Sequence, residues 1–195
     1  MSNLCLAIGL AAAFASGQLQ DVKPKTTVTE LPSQPFEVQF ARSTVGRNVT
    51  VAIDGRSKTT FAGKLGFRDQ NRTWQAVCAE VRKPITAGQF FMLRPVNSQK
   101  MGGNVALAGN IVAKHFDSAR TADQCAALQL AVWEAVEDGG KVPNFGSGRF
   151  RAMAAYNVLD LASDFYESII EAKEAAYLET VQDGNGGQGQ LSSIN

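Results

Sequence analysis

The sequence has few of the residues from which common active sites are built. It contains a single histidine, His115, and three cysteines, Cys5, Cys78 and Cys125. A Ser-His-Asp site would have to be built around His115, and no G-x-S-x-G motif supplies the serine. Zinc sites usually take their ligands from cysteine and histidine, and the spacing of these residues fits no zinc signature. We therefore expect no metal and no cofactor, and a hydrolase using His115 is the least favoured function.

Blocks of like charge are also missing. The chain has 19 Lys and Arg against 18 Asp and Glu, which gives a formal net charge of +1. A nucleic-acid-binding protein normally shows a basic stripe, and a membrane-surface segment a basic cluster. Neither is visible, so we expect no nucleic-acid partner. With 195 residues, 45% of them hydrophobic, the composition is that of one globular domain.

One hydrophobic run stands out, and it lies at the N-terminus. Residues 4–15 are uncharged and end in Ala13-Phe14-Ala15, a pattern typical of the cleavage site of a secretory signal peptide. The usual Lys or Arg before such a run is absent, and a short buried helix is the alternative. We predict a signal peptide over 1–15 and a polar, proline-containing leader over 16–35. The mature protein is then secreted or bound to the cell surface, with no membrane insertion after signal removal.

The region 36–100 has the pattern of short β-strands. Apolar and β-branched runs separated by turn residues occupy 36–40, 48–53, 59–67, 73–81 and 88–96. The second run stops at Asp54-Gly55, a dipeptide typical of a tight hairpin turn. Five such runs at short spacing predict an antiparallel β subdomain, either a sandwich or an open barrel.

The region 104–175 has longer, helix-like spacing of its apolar residues. Thr121 and Gln124 fit a capping box, which predicts a helix beginning there and ending at Gly139-Gly140. A second helix is predicted over roughly 149–175, a last strand over 177–181 and a flexible Gly-rich tail over 183–195. Strands first and helices second predict an α+β domain spanning 36–190, in which a sandwich-like or barrel-like β subdomain precedes a helical subdomain.

The helix after Thr121 carries the most informative motif. Its residues are almost all apolar, with only Glu134 and Glu137 forming a wet flank, yet an amide, Gln129, lies in the middle. A helix that is apolar nearly all round is usually buried, and a buried amide needs hydrogen-bond partners. The amide stands in the run Leu128-Gln129-Leu130-Ala131-Val132-Trp133, which reads apolar, Gln, any residue, Ala, apolar, Trp.

This run resembles the glutamine motif of bacterial Cys–Gln thioester domains. Those are extracellular adhesion domains in which a cysteine side chain is joined to a glutamine side chain. The continuation through Glu134 to Asp138-Gly139 also resembles a broader group of exported bacterial proteins, many of the PEP-CTERM kind. In such families the cysteine lies upstream on a strand, after an apolar residue and before an acidic one, and Val77-Cys78-Ala79-Glu80 stands in that place. The resemblance covers about residues 70–190.

The resemblance implies an internal thioester between Cys78 and Gln129, supported by Ala131 and Trp133. The thiolate would displace ammonia from the amide, because rigid placement of the two groups supplies the missing rate. A lysine amine of a host or neighbouring-cell surface protein, or of a matrix component, could then attack and leave the domain attached through Gln129. Such a domain is a single-use covalent binder and not an enzyme. Trp133 then covers the bond, or is ordinary core packing.

Cys125 offers Cys78 a second partner. Cys125 and Gln129 are spaced i, i+4 and share one helix face, so a Cys78 that reaches one is near the other. An oxidising compartment favours a Cys78–Cys125 disulfide, which would exclude the thioester. The alternative function is then a non-reactive structural protein of the cell surface or extracellular matrix. In a third arrangement neither bond forms, and Gln129 only hydrogen-bonds to the sheet.

Overall fold

The computed structural model describes residues 9–10, 34–70, 72–169, 175–180 and 190–193, the first and the last two of these ranges by their backbone alone. The predicted signal peptide and leader lie outside these residues except for 9–10 and 34–35, so both stay predictions. Cys5 lies outside as well.

The described strands form a single antiparallel sheet. They are β1 (Gly9–Leu10), β2 (Phe36–Ile53), β3 (Arg56–Arg68), β4 (Thr73–Cys78), β5 (Phe90–Asn97), β6 (Phe150–Met153), β7 (Ala175–Thr180) and β8 (Gln190–Ser193). Their order is β1-β4-β3-β2-β5-β7-β8, with β6 on β2 and β8 also on β4. β8 lies in the predicted flexible tail 183–195, so that prediction is wrong for residues 190–193. The pairing of β8 with β4 ends opposite Cys78.

The β2–β3 hairpin is the longest pairing in the sheet. β2 joins the predicted runs 36–40 and 48–53 into one strand, with register shifts between Phe40 and Arg42 and between Ser43 and Gly46. The predicted turn is present, and Asp54 and Gly55 have φ of 48° and 79°. These positive values suit the mirror-image turns that follow the twist of a hairpin.

The described helices are α1 (Ser98–Met101), α2 (Gly103–His115), α3 (Ala122–Glu137) and α4 (Tyr156–Glu167). α3 begins with the predicted capping box, in which the Thr121 hydroxyl accepts from the Gln124 N–H and the Gln124 side chain accepts from the Thr121 N–H. α3 is the centre of the fold, because it contacts β2, β3, β4, α2 and α4. Every residue from 125 to 135 is buried.

The predicted α+β class, with antiparallel strands followed by helices, is confirmed. The predicted helix over 149–175 is wrong at its start, because residues 150–153 form β6 and pair with Thr50–Ile53 of β2. Phe150 and Ala152 of β6 are buried while Arg151 and Met153 are exposed, which is the period of a strand. No described helix is long and apolar enough to cross a membrane.

Candidate functional site

Gln129 lies in the middle of the buried helix α3. Its side chain is only 1% exposed, and its neighbours Leu128 and Leu130 are fully buried. Water therefore cannot satisfy the amide, and its two polar atoms need partners within the protein.

Both partners belong to one residue, Cys78. The Cys78 N–H donates to Gln129 Oε1 at 2.7 Å, and Gln129 Nε2 donates to the Cys78 carbonyl oxygen at 2.6 Å. An antiparallel strand residue pairs with its neighbour through the same two groups. The amide of α3 thus binds the end of β4 as a further strand residue would, and the structure brings Cys78 and Gln129 together.

β3 does not pair with the backbone groups of Cys78, which can therefore bind the Gln129 amide. The β3–β4 pairing ends at Leu65 and Ala76, two residues before Cys78. Just beyond, Gly63 of β3 lies so close to β2 that a Cβ there would be 2.3 Å from the Val45 carbonyl oxygen. This contact admits only glycine and holds that part of β3 against β2. The polar groups of Cys78 are then available to Gln129.

The side chain of Cys78 is buried, and its sulfur takes part in a disulfide. The residue is 7% exposed, and its Sγ lies 3.2 Å from the Glu80 carbonyl oxygen. The backbone of Cys78 therefore positions the Gln129 amide.

The disulfide between Cys78 and Cys125 is not present. Cys125 is a free, buried thiol whose Sγ donates to the Ala119 carbonyl oxygen at 3.3 Å. Cys125 and Gln129 do share a helix face, but the long glutamine side chain reaches β4 and the short thiol is held one turn earlier. Burial raises the pKa of the Cys125 thiol, and the nearby Lys64 charge opposes that shift.

Lys64 is a buried cation that the sequence pattern did not reveal. Its Nζ donates to the Phe116 carbonyl oxygen at 2.7 Å and lies 4.2 Å from the centre of the Phe116 ring. Desolvation lowers the pKa of Lys64, and the charge of Asp117 acts in the opposite direction. The only sequence signal is a lysine within an otherwise uncharged run, Phe61-Ala-Gly-Lys-Leu-Gly-Phe67.

The other two motif residues are packed in the core. Ala131 is fully buried, and Trp133 is 2% exposed with its ring 6.2 Å from that of Phe150 at 60°. The indole Nε1 of Trp133 has no hydrogen-bond partner in the described part of the chain. Apolar packing therefore accounts for the ring but not for its N–H group.

Glu134 is buried, so the prediction that it lies on a solvent-exposed side of α3 is wrong. It is 2% exposed, its Oε1 accepts from the Asn144 N–H at 2.8 Å, and its Oε2 has no partner among the described residues. Burial raises the pKa of its carboxyl group, and the hydrogen bond from Asn144 lowers it less. A carboxyl group of this kind favours its protonated form.

A second contact joins the two elements that carry Cys78 and Gln129. Arg82, four residues after Cys78, donates to Glu137 of α3 from Nη2 at 2.7 Å and to Asp54 of the hairpin turn from Nη1 at 2.6 Å. These hydrogen bonds raise the pKa of Arg82 above its usual range. The segment from Cys78 to Arg82 is therefore tied to α3 at both of its ends.

His115 lies at the end of α2 and contacts the end of α4. Its Nε2 is 2.6 Å from the Ser168 hydroxyl, and its ring stacks on Phe165 at 4.4 Å. Within the described residues there is no group of three or more His, Cys, Asp or Glu side chains that could hold a metal ion. Comparison with family models, with curated proteins and with solved structures finds no match to this chain.

Proposed function

We propose that the chain is a secreted or cell-surface attachment domain that forms an internal thioester between Cys78 and Gln129. The observation that carries this proposal is the pairing of the buried Gln129 amide with both peptide groups of Cys78, at 2.7 and 2.6 Å. The pairing supplies the close, rigid placement that a poor electrophile such as an amide requires. The motif around Gln129 supports the same function.

The reaction starts from Cys78 as a thiol, so the disulfide at Cys78 must first be reduced. The Cys78 sulfur attacks the amide carbon of Gln129, and negative charge develops on Oε1. The Cys78 N–H donates to that oxygen and stabilises the charge, as a backbone donor does in an oxyanion hole. The C–N bond then breaks, and the nitrogen leaves as ammonia with the proton of the thiol. The products are one thioester and one ammonia, and no oxidant is needed.

Capture of a partner reverses the roles of the groups. A lysine amine of a surface or matrix protein attacks the thioester carbon, and Cys78 leaves with the proton that the amine loses. An amide bond then joins Gln129 to the partner. The low exposure of both residues keeps water away from the thioester until a partner amine enters.

Incubation with a small primary amine such as methylamine tests the proposal. We expect the amine to be incorporated at Gln129, as located by tandem mass spectrometry, with one new thiol at Cys78. Gln129→Ala and Cys78→Ala must abolish incorporation, while Cys125→Ala, which removes the other thiol near this helix face, must leave it unchanged. Incorporation elsewhere, or none in the wild type, would exclude the thioester.

A non-reactive structural protein is the second candidate. It is favoured by the completeness of the Gln129 hydrogen bonds, which satisfy the amide without any reaction. A Cys78–Cys125 disulfide is no part of this candidate, because Cys125 is a free thiol. Under this function the wild type keeps its glutamine amide and does not react with methylamine.

A further inference from the structure

A cavity of about 630 Å³ lies where the first residues of β2 meet the end of β3. Its walls are formed by residues 36–39 of β2, Arg68 of β3, Phe90 of β5 and part of the turn after β3. Binding sites for small molecules usually have volumes of about 300–1,000 Å³. Neither Cys78 nor Gln129 lines this cavity, so it is separate from the site described above.

Part of the wall is a row of side chains that runs across the sheet. Gln39 of β2 pairs with Phe90 of β5 on one side and with Arg68 of β3 on the other. Residues paired in this way point to the same face of a sheet. The Gln39 side chain is held in place, since its Oε1 accepts from Arg68 Nε at 2.7 Å and its Nε2 donates to the Gly88 carbonyl oxygen at 3.0 Å. The row therefore presents an aromatic ring and fixed polar groups side by side.

Phe90 contributes an aromatic ring that is open to solvent. It is 57% exposed, and every other phenylalanine in the described part of the chain is buried or half-buried. Met92, on the same strand and the same face, is also exposed but does not line the cavity. A ring in this position offers a flat apolar surface to a ligand that also contacts the polar groups beside it.

The charged groups of the cavity balance each other. Arg68 and Arg72 supply the positive charges, and Glu37 and Asp69 supply the negative ones. Arg72 and Asp69 bind each other, because Asp69 Oδ2 accepts from Arg72 Nε at 3.0 Å and from Nη2 at 2.8 Å. The terminal nitrogens of Arg68 and the carboxylate of Glu37 can then bind a ligand as donors and acceptors. With no net formal charge, the cavity favours neither an anion nor a cation.

A neutral sugar has the groups that match this wall. Each of its hydroxyl groups both donates and accepts hydrogen bonds, so it can bind an arginine and a carboxylate together. The C–H groups on one face of a sugar ring are apolar and pack against an aromatic ring. A sugar therefore uses both the apolar and the polar part of the wall, whereas a simple ion or a hydrocarbon uses only one of them.

We propose that this cavity binds a neutral saccharide, with Phe90 against the sugar ring and with Arg68 and Glu37 bound to its hydroxyl groups. The binding is reversible and involves no reaction of Cys78 or Gln129. The inference therefore goes beyond the proposed function and does not depend on it. The same chemistry recognises a free sugar and one unit of a glycan chain.

An NMR titration of the isotope-labelled full chain tests the site. The probes are the methyl glycosides of glucose, galactose, mannose and N-acetylglucosamine, together with linear oligosaccharides of the same sugars. We expect at least one of these sugars to cause saturable shifts of the backbone amide signals of Gln39, Arg68 and Phe90. Equal affinities for a glycoside and its oligosaccharide indicate that the site takes a single sugar unit, and tighter binding of the oligosaccharide indicates a glycan chain.

Substitutions of exposed residues on β5 locate the binding. Phe90→Ala removes the ring and should weaken binding by about tenfold, the upper end of the effect of one aromatic contact. Phe90→Trp keeps an aromatic ring and should bind as the wild type does. Met92→Ala is the matched control, because it removes an exposed side chain of the same face outside the cavity, and it should leave the affinity unchanged.

Wild-type affinity in Phe90→Ala, or an equal loss in Met92→Ala, would overturn the inference. The absence of shifts with all of the neutral sugars would overturn it too, as would binding of acidic or sulfated sugars alone. None of these results bears on the thioester, which the mass and methylamine measurements test separately.

Discussion

Replacing Gln129 by leucine in a Cys78→Ala background isolates the contribution of the Gln129 amide to stability. The background removes the sulfur, so neither a thioester nor a disulfide at position 78 contributes. The backbone groups of that position remain, and they bind Gln129 at 2.7 and 2.6 Å in the wild type. The leucine side chain fills most of the space of glutamine but offers neither a donor nor an acceptor.

The expected cost follows from the two backbone groups that lose their partner. A buried donor or acceptor left unpaired costs about 1–3 kcal/mol, so two cost about 2–6 kcal/mol. Burial of the more apolar leucine offsets about 1–2 kcal/mol of this. The mid-values of these ranges, about 4 and about 1.5 kcal/mol, give a net loss of about 2.5 kcal/mol. This is a large part of the roughly 5–15 kcal/mol that stabilises a typical domain.

Urea denaturation measures the loss as a lower midpoint at an unchanged m value. Gln129→Glu in the same background is the matched control, because a protonated carboxyl group can accept from the backbone N–H and donate to the carbonyl oxygen. We expect its stability to approach that of glutamine at low pH and to fall as the pH rises. A loss below about 0.5 kcal/mol for Gln129→Leu, as at an ordinary surface position, would refute the reasoning.

Three further predictions concern groups around the site. Arg82→Ala removes the hydrogen bonds to Glu137 and should cost about 0.5–1 kcal/mol in urea denaturation, less at high salt, whereas Lys83→Ala should cost less than half of that. Burial raises the pKa of Glu134 above the ordinary value of 4.5. The protonated carboxyl group therefore stabilises the fold fully below pH 4.5, and this stabilisation is lost as the pH rises through the folded-state pKa. Wild type should therefore lose stability relative to Glu134→Gln as the pH rises from 4.5 to 8, and a constant difference would contradict a buried carboxyl group. Cys125, which is buried and has a raised pKa, should resist iodoacetamide at pH about 8 until denaturant is added, and rapid labelling of the folded protein would show that the thiol is accessible.

The local signals of the sequence predict α3 and the hairpin turn well. The capping box at Thr121 and Gln124 sets the start of the helix, and the positive φ values of Asp54 and Gly55 set the turn. Both depend on residues adjacent in the chain. The capping box and the turn can therefore be predicted without knowledge of the fold.

Features that depend on distant residues were predicted less well. Phe150 to Met153 can be read as a helix start, and the strand forms only because β2 lies alongside it. The sequence predicts a solvated Glu134, but the segment containing Asn144 covers it. The resemblance of the Gln129 motif to that of thioester domains predicts that Gln129 lies near Cys78. The pairing with both backbone groups of Cys78 depends instead on where the β3–β4 ladder ends.

Cys125 illustrates the limit of reasoning from a shared helix face. The spacing from Gln129 correctly places both residues on one side of α3. It does not give the reach of each side chain, and the thiol of Cys125 is held by Ala119 instead of meeting Cys78. Side-chain length and the position of the next carbonyl oxygen decide which residue contacts β4.

The intact mass of the purified wild-type protein tests the thioester most directly, with Gln129→Ala measured beside it. We predict that the wild type is lighter than its sequence by one ammonia, that methylamine adds its full mass, and that Gln129→Ala has neither property. A wild-type mass that contains the ammonia of Gln129 and does not change with methylamine would contradict the account. The Gln129 amide would then serve only to hold the end of β4 against α3.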